Sequence, residues 1–257
     1  MRNIISFLLF FAIVGLSPTI EADEFDKKKA EKIIEDAENV MRGKASVGVM
    51  EMKVHNPRWE RTMTMKFWEV VPDKMLVRVT APAQDAGTGS LKLKNDLWSY
   101  NPHIDQIQKI PPSLMLDSWM GSDFTNDDIT RESSTSDDYD AVAMKEKKRE
   151  GETVYRITLK PKPESPVVWE KLIVEATKEG HRPVRHEFYD EKGNLARVMT
   201  LKKYKKLENG KMYPHVWRME NKQEKNRYTE MRVKELEFKE DLSNRIFSIR
   251  NLKRGRR

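Results

Sequence analysis

The chain has 257 residues, 35% of them charged, a net charge of +7 and no cysteine. Without cysteine it has neither a disulfide nor an acylation site of its own, so a packed core must hold the fold. The basic residues are mixed with acids, as in KEKKRE and VKELEFKED, which is a solvated surface and not a nucleic-acid footprint.

Residues 1–22 read as an export signal. Arg2 gives a positive start, Ile4 to Leu16 is uncharged and apolar, and Ile20-Glu21-Ala22 offers cleavage near Ala22. The apolar run falls short of the roughly 20 residues a membrane helix needs. Residues 23–257 are then expected to form one exported domain.

The spacing of Ala30, Ile33, Ile34, Ala37 and Met41 predicts a helix over Glu24 to Met41. After it the period changes to two. Met50, Met52 and Val54 alternate with Glu51 and Lys53, and Met63, Met65 and Phe67 with Thr64 and Lys66. Met75, Val77 and Val79 form a third strand, and Leu91 and Leu93 alternate with lysines in a fourth. Asn95-Asp96 turns the chain into a strand over Leu97 to Asn101.

Ile110 to Asp128, IPPSLMLDSWMGSDFTNDD, breaks this pattern. Pro111 and Pro112 stop the strand, because proline lacks the N–H a ladder needs. Ser113 is placed to cap a short turn, Gly121 to end it, and Thr125-Asn126-Asp127-Asp128 to cap a second short helix. Leu114, Met115, Leu116, Trp119, Met120 and Phe124 crowd together with little charge among them. An oily helical insert between β-meanders reads as a lid over something kept from water.

Beyond an acidic loop at Glu132 to Asp140, strands resume. Ala143 to Arg149 and Thr153 to Lys160 flank a turn at Glu150-Gly151-Glu152. Leu172, Val174 and Ala176 share a face, followed by Val184, His186 and Phe188, then Met199 and Leu201. Glu208-Asn209-Gly210 marks a hairpin turn before Met212 to Met219, and Tyr228 to Phe238 is the last long strand. About a dozen strands at hairpin spacing, with no βαβ unit, indicate a meander or barrel.

Catalytic and cofactor signals are missing. The five histidines include no pair at HExxH spacing, and no GxSxG or phosphate loop occurs. His186 reads as an inward or edge packing residue, Gly87-Thr88-Gly89 as a bulge or turn, and Asp127 and Asp128 as helix caps. Glu175 and Glu187 lie on separate strands and support no acid/base argument. The expectation is a binding protein without enzyme activity, metal or cofactor. The 14 methionines, many on strands, suit a pocket for chains of differing length, or equally an ordinary β core.

Several blocks carry a family resemblance: LVRVTAPAQDAGTGSLKLKNDLWSYNP, the SWMGSDFTNDD block, LKPKPESPVVWEKL, HEFYDEKGNLARVMTL and RIFSIRNL. In this order they resemble the periplasmic outer-membrane lipoprotein-sorting proteins of the LolA/LolB-like group. The resemblance implies a mainly β fold with short helices: an incomplete antiparallel β-barrel, a half-barrel cup, with an N-terminal helix and a helical lid. It implies a periplasmic carrier or chaperone, expected to be a monomer, that holds the acyl chains of lipoproteins or lipids. An inner-membrane transporter would be donor and an outer-membrane site acceptor. A lipid- or lipoprotein-sensing regulatory module of the same fold is the alternative.

Strand parity assigns Met50, Met52, Met63, Met65, Phe67, Leu91, Leu93, Leu172, Val174 and Met199 to one apolar cavity face, with Trp98 beside them under the lid. Lys253, Arg254, Arg256 and Arg257 form the one single-sign cluster, suited to transient contact with an anionic membrane. Deleting Lys253 to Arg257 is expected to change stability by no more than about 0.5 kcal/mol while weakening binding to anionic vesicles, most strongly at low salt. Vesicle binding that is unchanged and insensitive to salt would rule the tail out as a membrane contact.

Overall fold

The computed structural model describes residues 25–41, 43–130, 135–165, 167–207 and 210–254. The export signal, the start of the acidic loop, Glu208-Asn209 and the Arg256-Arg257 end of the tail lie outside the described residues.

Helix α1 (Lys27–Met41) begins three residues later than its periodicity suggests. Asp26 sets the start, its Oδ1 accepting the Lys29 amide at 2.9 Å. Among the described residues, thirteen strands then form one antiparallel sheet. The first six are β1 (Ala45–Asn56), β2 (Trp59–Val70), β3 (Lys74–Ala81), β4 (Gly89–Leu93), β5 (Asp96–Asn101) and β6 (Gln106–Lys109). The other seven are β7 (Tyr139–Arg149), β8 (Glu152–Pro161), β9 (Lys171–Thr177), β10 (Pro183–Tyr189), β11 (Leu195–Lys206), β12 (Met212–Asn221) and β13 (Tyr228–Lys239). Each group is a meander, and the two meet where β1 pairs with β13 as well as with β2.

This order leaves β6 and β7 as the sheet's free edges. They are also consecutive in the chain. The connection between them carries helices α2 (Asn126–Thr130) and α3 (Thr135–Asp138), so the oily insert belongs to the gap that keeps the barrel open. The architecture is a half-barrel cup with short helices.

Two apolar clusters cover the inner face. Ala30, Ile33, Ile34 and Ala37 of α1 pack on Tyr155, Ile157, Leu159 and Val174 of β8 and β9. Met52, Met63, Met65, Phe67, Val77 and Met219 pack together with Trp119 and Phe124. Gly48 makes room there, since a Cβ on it would lie 2.6 Å from the Phe67 ring.

A third cluster lies on the other face. Leu76, Leu91 and Tyr100 are covered by Phe247 and Leu252, with Leu93 and Trp98 packed alongside. The C-terminal helix α4 (Ile249–Lys253) carries Leu252, and Ser248 caps it by accepting the Asn251 amide. Gly89 permits the close approach, as a Cβ there would come within 2.8 Å of Leu252. Gly87 is part of a turn, its amide donating to the Val79 carbonyl at 2.9 Å.

Leu91, Leu93 and Trp98 are therefore not on the inner face, contrary to the parity reading. Alternation was right but its phase was not: Lys92 points inward and donates to the Pro72 carbonyl at 2.7 Å. The misreading assumed that lysines face water. Here the C-terminal segment shields the leucine side, so both faces of β4 are buried.

Leu252, fully buried, anchors this cover. Leu252→Ala should destabilise the protein by about 2–5 kcal/mol, as buried leucine truncations do. A thermal midpoint equal to wild type would show that the C-terminal cover is dispensable.

Candidate functional site

The insert folds back on itself. A 3-10 turn at Pro112–Leu114 is followed by another at Trp119–Gly121. Ser113 lies inside the first turn and makes no side-chain cap. Within the second, Met120 and Gly121 both take left-handed backbone, with φ of 51° and 75°. That conformation is costly for methionine, and the neighbouring contacts must hold it. The Trp119 amide donates to the Phe124 carbonyl at 2.8 Å, closing the loop. Thr125 and Asp128 then form a reciprocal cap at the start of α2: Thr125 Oγ1 accepts the Asp128 amide, and Asp128 Oδ2 accepts the Thr125 amide.

The fold-back presents Trp119 and Phe124 inward, both buried, while Met120 is half-buried in the same cluster. They meet Met63, Met65 and Leu97, not Leu91 or Trp98. Leu114 and Leu116 point to solvent, 37% and 55% exposed, and Met115 is half-buried. Leu114, expected among the cavity and lid residues, is thus at the surface. The Leu114 and Met115 carbonyls accept from the Asn126 side-chain amide and the Asp127 backbone amide, which ties this turn back to α2 with its leucines outward.

Polar bonds fasten the lid to both arms of the sheet. Trp119 Nε1 donates to Ser90 Oγ on β4 at 3.0 Å. From β11, Arg197 Nη1 and Nη2 grip the two carboxylate oxygens of Asp128 at 2.8 and 3.1 Å, and Nη1 also donates to the Asp123 carbonyl. The Asp123 carboxylate accepts from Arg227 Nε and from Thr229 Oγ1, each at 2.8 Å. The Arg197 guanidinium also lies over the rings of Trp169 and Phe188, 4.5 and 5.1 Å from their centroids. Sequence reasoning missed Arg197. Its signal was a cation in phase with Met199, at an inward position where apolar residues are expected.

A cavity of about 370 Å³ runs between the two inner clusters, beneath α2 and α3. Leu172, Val174 and Met199 line it as parity predicts, joined by Trp169, Phe188 and Trp217. Met50, Met52, Met63, Met65 and Phe67 do not line it. They pack in the cluster that receives Trp119 and Phe124, with Met52, Met63 and Met65 fully buried. The methionine face is the seat on which Trp119 and Phe124 pack, and of these residues Met63 also borders a second depression of about 340 Å³, beside Leu97, Trp119 and Met120. Polar groups mark the cavity margin: Glu38, Glu69, Lys92, Asp128, Asp138 and His186. Burial pushes the His186 imidazole pKa down to about 4, so it is neutral at neutral pH.

A larger depression, about 750 Å³, lies elsewhere, ringed by Arg149, Arg185, Lys202, Arg218, Glu220 and Glu230. Its charged rim is unsuited to acyl chains. Glu175 and Glu187 share one cation, Arg156, with Arg149 and Arg185 completing the set. Desolvation opposes ionisation of Glu187, but hydrogen bonds from Arg156, Arg185 and Tyr189 outweigh it and bring its pKa down to about 2. The pair is an ion-pair ladder. Among the described residues no group of His, Asp and Glu could hold a metal ion.

Removing one partner of a buried ion pair strands the other, at about 3–5 kcal/mol. Arg197→Met should therefore speed amide exchange across residues 118–130 while leaving β1, β2 and β13 protected. Adding Asp128→Asn should recover part of the loss, because the stranded carboxylate is gone. Uniform loss of protection across the sheet would make Arg197 a global core residue and not a latch.

Residues 72–254 match the model of a family described as uncharacterized-protein-like. No curated protein sequence matches. Among solved structures, a domain named for outer membrane lipoprotein sorting from Vibrio parahaemolyticus is 26% identical, with a TM-score of 0.78 over 89% of this chain and 100% of that one. A DUF1329 family protein from Desulfovibrio piger is 21% identical, with a TM-score of 0.80 over 88% of this chain and 98% of that chain. A LolA superfamily protein from Nitrosomonas europaea is 21% identical, with a TM-score of 0.70 over 85% of this chain and 97% of that chain. The last two, at lower identity, share the fold. With the open sheet and the lid in its gap, these matches show that the chain belongs to the matched family, on a LolA-like, lipoprotein-sorting-type fold.

Proposed function

We propose that the protein is a periplasmic carrier that binds acyl chains of lipoproteins or lipids under its lid and moves them toward the outer membrane. One observation carries this reading: an apolar insert bridges the open edges of the sheet and is latched by polar bonds over a cavity lined by Leu172, Val174, Met199, Trp169 and Phe188. An ordinary core gains nothing from being closed by a strained turn and a buried charge network.

The cavity's 370 Å³ is at the small end of the roughly 300–1,000 Å³ typical of ligand pockets. A larger, multiply acylated cargo needs more room, and moving Trp119 and Phe124 off their methionine seat supplies it. Each CH₂ buried contributes roughly 0.8 kcal/mol. Lifting Trp119 and Phe124 from that seat offsets part of the gain, which keeps net affinity moderate and permits transfer to a tighter acceptor. Donor and acceptor are then an inner-membrane transporter and an outer-membrane site. Lys253 is available for transient membrane contact because its ion pair with Asp105, at 3.5 Å, is exposed and worth little.

Mass spectrometry of protein purified from its native periplasm should find acylated species bound, and Trp119→Ala should change their retention more than it changes the unfolding midpoint. Protein free of any acyl species, in wild type and variant alike, would overturn the carrier reading.

A further inference from the structure

His186 lies mid-strand in β10 and lines the cavity. Its register partners are Val174 on β9 and Met199 on β11, and the Phe188 ring centroid is 6.5 Å away. None offers a strong hydrogen-bond partner. Its Nε2 is buried and makes no hydrogen bond.

The other polar groups at the margin are engaged. Glu38 accepts the Thr135 amide, Glu69 accepts from Ser46, Lys92 donates to the Pro72 carbonyl, Asp128 is held by Arg197, and Asp138 accepts from Ser165. Among the described cavity-lining residues, His186 is the one with a buried polar atom lacking a partner. Buried polar groups are nearly always satisfied, so an orphan in a ligand cavity points to a partner that the ligand brings. The uncharged ring suits a neutral polar group better than a phosphate or carboxylate. Histidine χ2 is broad and two-fold, so the ring can turn a nitrogen toward the cavity at little cost.

We propose that His186 is the specificity-determining residue of the cavity: it hydrogen-bonds the ester or amide carbonyl at the head of an acyl chain, and so selects acyl ligands over alkyl chains of equal length. This rests on the carrier reading above and adds which part of the ligand is read.

A pair of probes tests it: 1-monomyristoylglycerol, an ester, and 1-O-tetradecylglycerol, its ether analogue without the carbonyl. Wild type should bind the ester roughly tenfold tighter than the ether. His186→Leu should bind both with a ratio near one, and His186→Gln, which keeps a donor, should retain a preference for the ester. A purely packing role would shift both affinities together and leave the ratio alone. A second readout needs no variant: the imidazole ¹⁵N resonances of His186 in wild type should move with the ester and not with the ether. An unchanged ratio in His186→Leu, or equal ¹⁵N shifts with both probes, would overturn the proposal while leaving the carrier intact. Failure of wild type to bind either probe would instead remove the carrier reading, and this one with it.

Discussion

The lid's hold on β11 and the cavity wall runs through one guanidinium. Arg197 rises from the inner face of β11 and divides its hydrogen bonds between the Asp128 carboxylate and the Asp123 carbonyl. Its flat face rests over Trp169 and Phe188, which belong to the cavity wall. The lid, β11 and the wall thus meet at a single side chain. A buried ion pair adds little net stability over an apolar substitute, yet losing half of it is expensive. That asymmetry makes Arg197 and Asp128 a pair whose members each need the other.

The need for a lid follows from the strand order. In a closed barrel β6 and β7 would pair, and the inner face would fill with side chains. Here they remain edges, and the residues joining them occupy the opening. Charge guards the exposed end of β7, where Lys145, Glu146, Lys147, Lys148 and Arg149 follow one another. The opposite meander is stiffened differently. Its β3 to β5 face is buried under Phe247 and Leu252, so this arm is packed on both sides. The cavity lies between it and the arm that carries β9 to β11.

The methionines take their role from this division. Met52, Met63 and Met65 sit fully buried beneath Trp119 and Phe124. Flexible thioethers adapt to whatever lies on them. Here that is an indole and a phenyl ring, those of Trp119 and Phe124.

Much of the plan was legible in the chain. Period 3.6 marked α1, period two marked the strands, and the Pro-Pro break with its charge-poor run marked the insert. The Thr125 to Asp128 cap was readable because its bonds are local. Leu172, Val174 and Met199 lie on the cavity wall because on their strands the buried face is also the inner one. Leu91, Leu93 and Trp98 were misplaced, because alternation gives the existence of two faces and says nothing of which is inside. That choice was made by Leu252, more than 150 residues further on. Leu114 was misplaced for a related reason: crowding of apolar residues does not reveal how a short loop folds back. The sequence by itself determined the elements, their order and the presence of a lid, since these follow from local periodicity and capping. Only the tertiary structure decided the sheet's inner face, the pairing of Arg197 with Asp128 and the isolation of the His186 nitrogen, because each depends on contacts between segments that local preferences do not encode.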